Sequence, residues 1–179
     1  MNDSRFGFIE DGITRVHLDR AFQLIIELVT LSEAKEYTDE LKSSFRKTAI
    51  IYTASIIEAL LLSILKGAKT EAECDESKET VEQTLYKISD EEQISIVKNK
   101  RIKVSFLKLS LDQINKLCKK FKLISNELSA KVDVVRDLRN RQHLGSLSEI
   151  EATYTKKDLE FVFSVAKEVA DRAQVLSVP

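Results

Sequence analysis

Four residues in the last third of the chain have the types and spacing to handle a phosphodiester. They are Arg136, Arg139, Asn140 and His143, in the stretch Val134-Val-Arg-Asp-Leu-Arg-Asn-Arg-Gln-His-Leu-Gly145. On a helix, positions i, i+3, i+4 and i+7 share one side, so the four form a single polar stripe. Leu128, Val132 and Val135 form an apolar stripe beside it, and the boundary is a seam that two helices or two subunits can close. Guanidinium groups grip phosphate in a fork and stay charged at any physiological pH. Imidazole moves a proton near neutrality. These parts are sufficient for cleaving RNA without a metal. His143 assists the attack of the 2′-hydroxyl or protonates the leaving oxygen, while Arg136, Arg139 and Asn140 steady the charge developing on the phosphate. Spacing alone also admits a structural role, in which the arginines bind acids and His143 sits as imidazolium at the carboxyl end of a helix dipole.

A carboxylate stands where such a site needs one. Glu58 interrupts the most apolar stretch of the chain, Ala49 to Leu65, on the stripe formed by Ile51, Ala54, Leu61 and Leu65. An ionised group on that stripe requires a cationic or hydrogen-bonding partner. Arg139 or Arg136 is the expected partner, which would fix the arginine fork beside His143; a purely structural pair, or a Glu58 facing solvent, is the alternative. The basic run Lys98-Asn-Lys-Arg-Ile-Lys103 offers Lys98, Lys100, Arg101 and Lys103 to an RNA backbone, or forms an ordinary solvated loop. His17, the other histidine, is expected at the surface or in a cap. Neither histidine has acids or cysteines at ligand spacing, so no metal is expected. The chain also lacks a glycine-rich phosphate loop and a Gly-x-Ser-x-Gly elbow, so no cofactor is expected, and nucleotide-dependent transfer and serine hydrolysis are disfavoured.

The elements that must position these residues follow from composition and periodicity. With 179 residues, 43% of them hydrophobic, the chain fits one domain spanning 1–179. It holds 4 Gly and 1 Pro, the proline being the last residue, so little in it breaks a helix or builds hairpin turns. The expected fold is an all-α bundle of four to five helices. One runs from Leu18 to Lys35, and a long central one from about Asp39 to a left-handed stop at Gly67. Ser110 caps a third, Ser125 to His143 forms a fourth with Gly145 as its stop, and Thr155 caps the last. Between them, residues 70–93 are polar with a short amphipathic piece around Val81, Leu85 and Ile88. Near residues 94–107, alternating β-branched residues fit one short hairpin or an extended arm.

Charge and cysteine usage bound the partners and the compartment. The 28 basic and 29 acidic residues leave a net charge of −1, which argues against coating duplex DNA by general attraction; any anion site is local. Cys74 and Cys118 fit reduced thiols of a cytoplasmic protein. The first residues precede no apolar run of signal-peptide type. The apolar stretch around Glu58 falls short of the roughly 20 residues a membrane span needs.

Leu138-Arg-Asn-Arg-Gln-His-Leu144, ending the penultimate long helix of a small α-bundle, resembles the signature of the HEPN superfamily: an arginine, four to six residues, then a histidine, often with a polar residue after the arginine. Arg136 has six residues between it and His143. Arg139-Asn140 matches the familiar Arg-Asn pair but leaves three residues before His143, so either arginine fits part of the motif. Ala54-Ser-Ile-Ile-Glu-Ala-Leu-Leu61 resembles the early core helix of such domains with its embedded glutamate, and Ser110 to Ile124 resembles the helix before the motif helix. The resemblance covers roughly residues 40–175. It implies a helical bundle, often dimeric, that in many members is a metal-independent endoribonuclease of toxin–antitoxin, phage-defence or RNA-processing systems, with a composite cleft between two subunits. Other members are catalytically silent binding or dimerisation modules. RNA, a second copy of the chain and a cognate antitoxin protein are therefore the implied partners. Some toxin members carry a tyrosine two residues after the histidine. Here that position is Gly145, and Tyr154 is too far along to match the motif.

Overall fold

The computed structural model describes residues 4–89, 91–141 and 153–177, with the backbone alone for 76–83 and 97–101. It divides into two compact units: a helical unit made of Met1–Ala68 with Ser110–Pro179, and a hairpin unit, Lys69–Leu109. The protein is predominantly α-helical, with six α-helices and one two-stranded sheet among the described residues.

In the helical unit, α1 (Gly12–Glu33) begins at Asp11, whose carboxylate accepts from the Ile13 amide. Its first helical residue, Gly12, stands six residues before the apolar pattern starts at Leu18. The first turns carry Ile13 and Val16 on the exposed side, so a cap sets this start and burial does not. The central helix is α2 (Asp39–Ala68). It buries Ala49, Ile50, Ala54, Ile56, Ile57, Leu60, Leu61, Ile64 and Leu65, residues on nearly every side, because it packs against α1 and, among the helices after the hairpin unit, α4 (Leu111–Lys120), α5 (Asn126–Asn140) and α6 (Lys156–Leu176). A helix apolar all round is a core helix. By length and composition α2 could also cross a membrane, but 56% of its most apolar window is buried in this bundle.

Gly67 does not take the left-handed conformation expected of a helix stop. No described glycine has positive φ, and Gly67 continues α2 to Ala68. The helix needs no glycine stop there, since the chain leaves it directly into Thr70, which caps the next helix through a reciprocal Thr70–Glu73 capping box. A left-handed residue does close α4, at Lys122 (φ 56°). The Leu123 amide donates to the Cys118 carbonyl and the Lys122 amide to the Lys119 carbonyl, a Schellman closure built on lysine. The other helix starts fall where the caps stand. Ser110 with Gln113 and Thr155 with Asp158 form capping boxes, and Ser125 accepts from the Leu128 amide.

The hairpin unit holds the short α3 (Glu71–Cys74) and two antiparallel strands, β1 (Glu76–Lys87) and β2 (Gln93–Ile102), followed by a 3-10 turn at Phe106–Lys108. The Asp75 carboxylate accepts from the Val104 amide at 2.8 Å and closes the base of the hairpin. The strand pair thus reaches back to residue 76, well before the arm expected near 94–107. Strand β1 escapes pattern reading because irregularities between Val81 and Gln83 and between Thr84 and Tyr86 break its alternation. It is a strand through pairing with β2.

Candidate functional site

Helix α5 buries Leu128, Ser129, Val132, Val135 and Leu138, and its two arginines flank that face. Arg139 turns toward α2, where its Nη1 donates to Glu58 Oε2 at 2.6 Å. Both side chains are about a third exposed, at 30% and 27%, so the pair is a charge-assisted hydrogen bond at the rim of the core. Of the two arginines, Arg139 is the one that meets the carboxylate embedded in the apolar helix.

Arg136 turns the other way. Its Nη1 bonds Asp112 of α4 and Asp133 (3.2 Å), and its Nη2 bonds Asp137 (3.0 Å). The stripe read from spacing therefore divides. Three residues of helix rotation leave Arg136 and Arg139 about 60° apart, and because α5 packs against both α4 and α2, that angle sends one arginine to each neighbour. The structure brings Glu58 and Arg139 together and holds Arg136 in an acid cage.

The cage is electrostatically self-consistent. The hydrogen bond from Lys116, with Arg136 beside it, holds the Asp112 carboxyl below the usual carboxylate range. Asp137 first, then Asp133 and Asp112, raises the Arg136 guanidinium above its ordinary value. Behind the cage, Asn115 is buried and donates through Nδ2 to the Ser129 carbonyl (3.0 Å) and to Asp133 Oδ1 (3.1 Å). A carboxyl whose folded-state pKa is depressed adds stability above its unfolded pKa and loses it as pH falls through the folded value. The helical unit is thus expected to lose stability below about pH 4, and Asp112→Asn to flatten that loss while lowering stability at about pH 7. Urea titrations at several pH values check this; an unchanged acid limb in the variant would remove Asp112 from the account.

Sequence reasoning passed over the acids Asp112, Asp133 and Asp137 and the buried Asn115. Asp112 was visible as the i,i+4 partner of Lys116 and Asp133 as the i,i+3 partner of Arg136, whereas Asp137 is the chain neighbour of Arg136 and Asn115 depends on how α4 meets α5. It also set Tyr154 aside as too distant. In the structure Tyr154 is buried against the end of α5. Its hydroxyl donates to the Leu138 carbonyl (3.4 Å), its amide donates to Ser43 Oγ (2.9 Å), and Lys47 Nζ lies 5.8 Å from the ring centroid. The Leu138 carbonyl is one of the orphan acceptors of a helix end, so Tyr154 pins the turn that carries Arg139 and Asn140. A signal existed: Tyr154 precedes the Thr155 cap, and Leu159 stands at the fourth helical position, the pattern of a hydrophobic staple. Both are buried.

Asn140 is exposed at the last residue of α5, and Arg141 follows it. His143 and Gly145 lie outside the described residues. Of the basic run, Lys103 is exposed after β2, while Lys98, Lys100 and Arg101 lie within β2 opposite Thr80, Lys78 and Ser77. They belong to the hairpin unit, whereas Arg136, Arg139 and Asn140 belong to the helical unit. Comparison of the chain with protein-family models, with curated proteins and with solved structures finds no match.

Proposed function

We propose that the protein binds RNA at the end of α5 and cleaves it without a metal, in the manner the HEPN resemblance implies, with Arg139 as the phosphate-holding arginine. The observation that carries this reading is the Arg139–Glu58 pair at 2.6 Å. A guanidinium has five N–H donors in a fixed plane. Glu58 engages Nη1 and orients that plane, and donors remain for a phosphate oxygen. Asn140, exposed on the next residue, supplies an amide to the same phosphate. His143 acts as general acid/base: the 2′-oxygen loses its proton and attacks phosphorus, the bond to the 5′-oxygen breaks, and that oxygen takes a proton. Two copies of the chain form the composite cleft, in a cytoplasmic toxin–antitoxin, phage-defence or RNA-processing setting, with an antitoxin protein as partner in the first case.

A second reading is favoured by a different observation. Arg136 is engaged by three carboxylates, which suits a catalytically silent domain whose arginines hold the bundle together while it binds a protein or RNA. Incubating the purified chain with RNA in EDTA separates the two. Cleavage is expected, and His143→Ala should reduce it by about 10²–10⁴-fold. Retention of RNA without cleavage would assign the domain to binding, and equal cleavage by the variant would remove His143 from the catalytic account.

A further inference from the structure

We propose that the hairpin unit carries a self-association surface, in which one face of the β1–β2 hairpin stacks antiparallel on the same face of a second copy of this chain. Alternate residues of a strand share a face, so Ile94, Ile96, Lys98 and Lys100 stand in succession along one face of β2, with Glu92 in the turn just before the strand begins. The register places Tyr86 opposite Ile94, and the Ile88 amide donates to the Glu92 carbonyl at 2.9 Å, so Tyr86 of β1 and Ile88, just past its end, stand beside that face. These four large apolar residues lie in the open, from 43% exposed at Ile96 to 66% at Tyr86. A two-stranded hairpin is marginal in water unless such a face is covered.

The charge order names the cover. From the turn into β2 the order reads acid, apolar, apolar, base: Glu92, Ile94, Ile96, Lys98. Reversed, that order is its own complement. About a two-fold axis between Ile94 and Ile96, Ile94 of one copy meets Ile96 of the other. Glu92 then comes level with Lys98, each about 10 Å from the axis at the strand rise. The register also sets Lys78 opposite Lys100 along the strand pair. The second copy's turn, with Glu91 and Glu92 both exposed, brings carboxylates to that end. RNA or an anionic membrane would satisfy the lysines but meet repulsion from Glu91 and Glu92; a second copy satisfies both ends at once. The proposal is independent of the catalytic reading, since all its residues belong to the hairpin unit.

The test is the mass of the full-length chain by light scattering over a concentration series. The double variant Tyr86→Lys/Ile94→Lys is expected to halve the assembly mass at a given concentration and to raise its dissociation constant by about tenfold or more. Glu92→Lys and Lys98→Glu should each weaken association, and the two together should restore it, an outcome a folding defect does not produce. Ile96→Cys should give a disulfide-linked dimer under mild oxidation, while Leu107→Cys, on a residue 89% exposed in the same unit, should not. Unchanged mass in the lysine variants, or absence of rescue by the charge swap, overturns the proposal. Loss of RNA retention or of phosphatidylserine-vesicle binding at unchanged mass would hand the face to a polyanion or a membrane, and overturns it equally.

Discussion

Truncating Leu61 to alanine is expected to lower the unfolding free energy by about 3 kcal/mol, within the range for emptying a well-packed leucine site. Leu61 is fully buried on α2. Its carbonyl lies 3.6 Å from Cys118 Sγ of α4, so the side chain sits in the layer where α2 receives the later helices, and neighbours held from several sides collapse poorly into a void. Urea denaturation by circular dichroism measures the effect, with Tyr52→Ala as a control on the same helix. Tyr52 is 38% exposed, and its truncation should cost well under about 1 kcal/mol. A Leu61→Ala loss no larger than the control's would mean that α2 is not the packing centre. Glu58 lies three residues before Leu61 on that helix.

Arg139→Ala is expected to reduce RNA cleavage by about 10²–10³-fold in kcat/KM, the scale of removing one donor from a developing anion. Its effect on stability should be small, about 1 kcal/mol or less, because the pair it breaks is only half-buried. Arg136→Ala should do the reverse. It leaves Asp112, Asp133 and Asp137 around an empty centre, and the loss of four hydrogen bonds from one cation to these three carboxylates is expected to cost about 1–2 kcal/mol of stability, with cleavage within a few-fold of the unmutated chain. Arg139→Lys keeps the charge but not the planar fork, so it should recover little activity. Steady-state cleavage kinetics alongside urea titrations give both axes. If Arg136→Ala abolished cleavage at unchanged stability while Arg139→Ala did not, the two assignments would exchange. If neither moved cleavage, the site would lie elsewhere.

Much of the scaffold was legible because its signals are local. Ser110, Ser125 and Thr155 satisfy amide groups of their own first turns, and a cap needs no knowledge of the rest of the fold. The existence and start of α2 were readable from the apolar stretch Ala49 to Leu65 and the polar turns leading into it from Asp39. The end of α2 and the start of α1 were not readable in the same way. Gly67 stays helical where a left-handed stop was expected, and Asp11 begins α1 before any apolar pattern appears, since caps and departing chain set both ends. Strand β1 was hidden because its two irregularities disrupt the alternation by which strands are recognised, and its identity rests on a partner strand.

The same division runs through the candidate site. Residue types and helical spacing predicted one polar stripe of Arg136, Arg139 and Asn140 on α5, and a cation for Glu58 in its apolar stretch. Which arginine supplies it was a question of about 60° of helix rotation, and only the placement of α2 on one side of α5 and α4 on the other decided it. Tyr154 shows the limit from the opposite direction: far from the motif in sequence, it bonds the last turn of α5 across the fold. Spacing along a helix fixes direction around that helix's own axis. The neighbour standing in that direction is set by the packing of the whole bundle, and for that reason the chemistry of these side chains was readable in the sequence while their partners were decided by the tertiary structure.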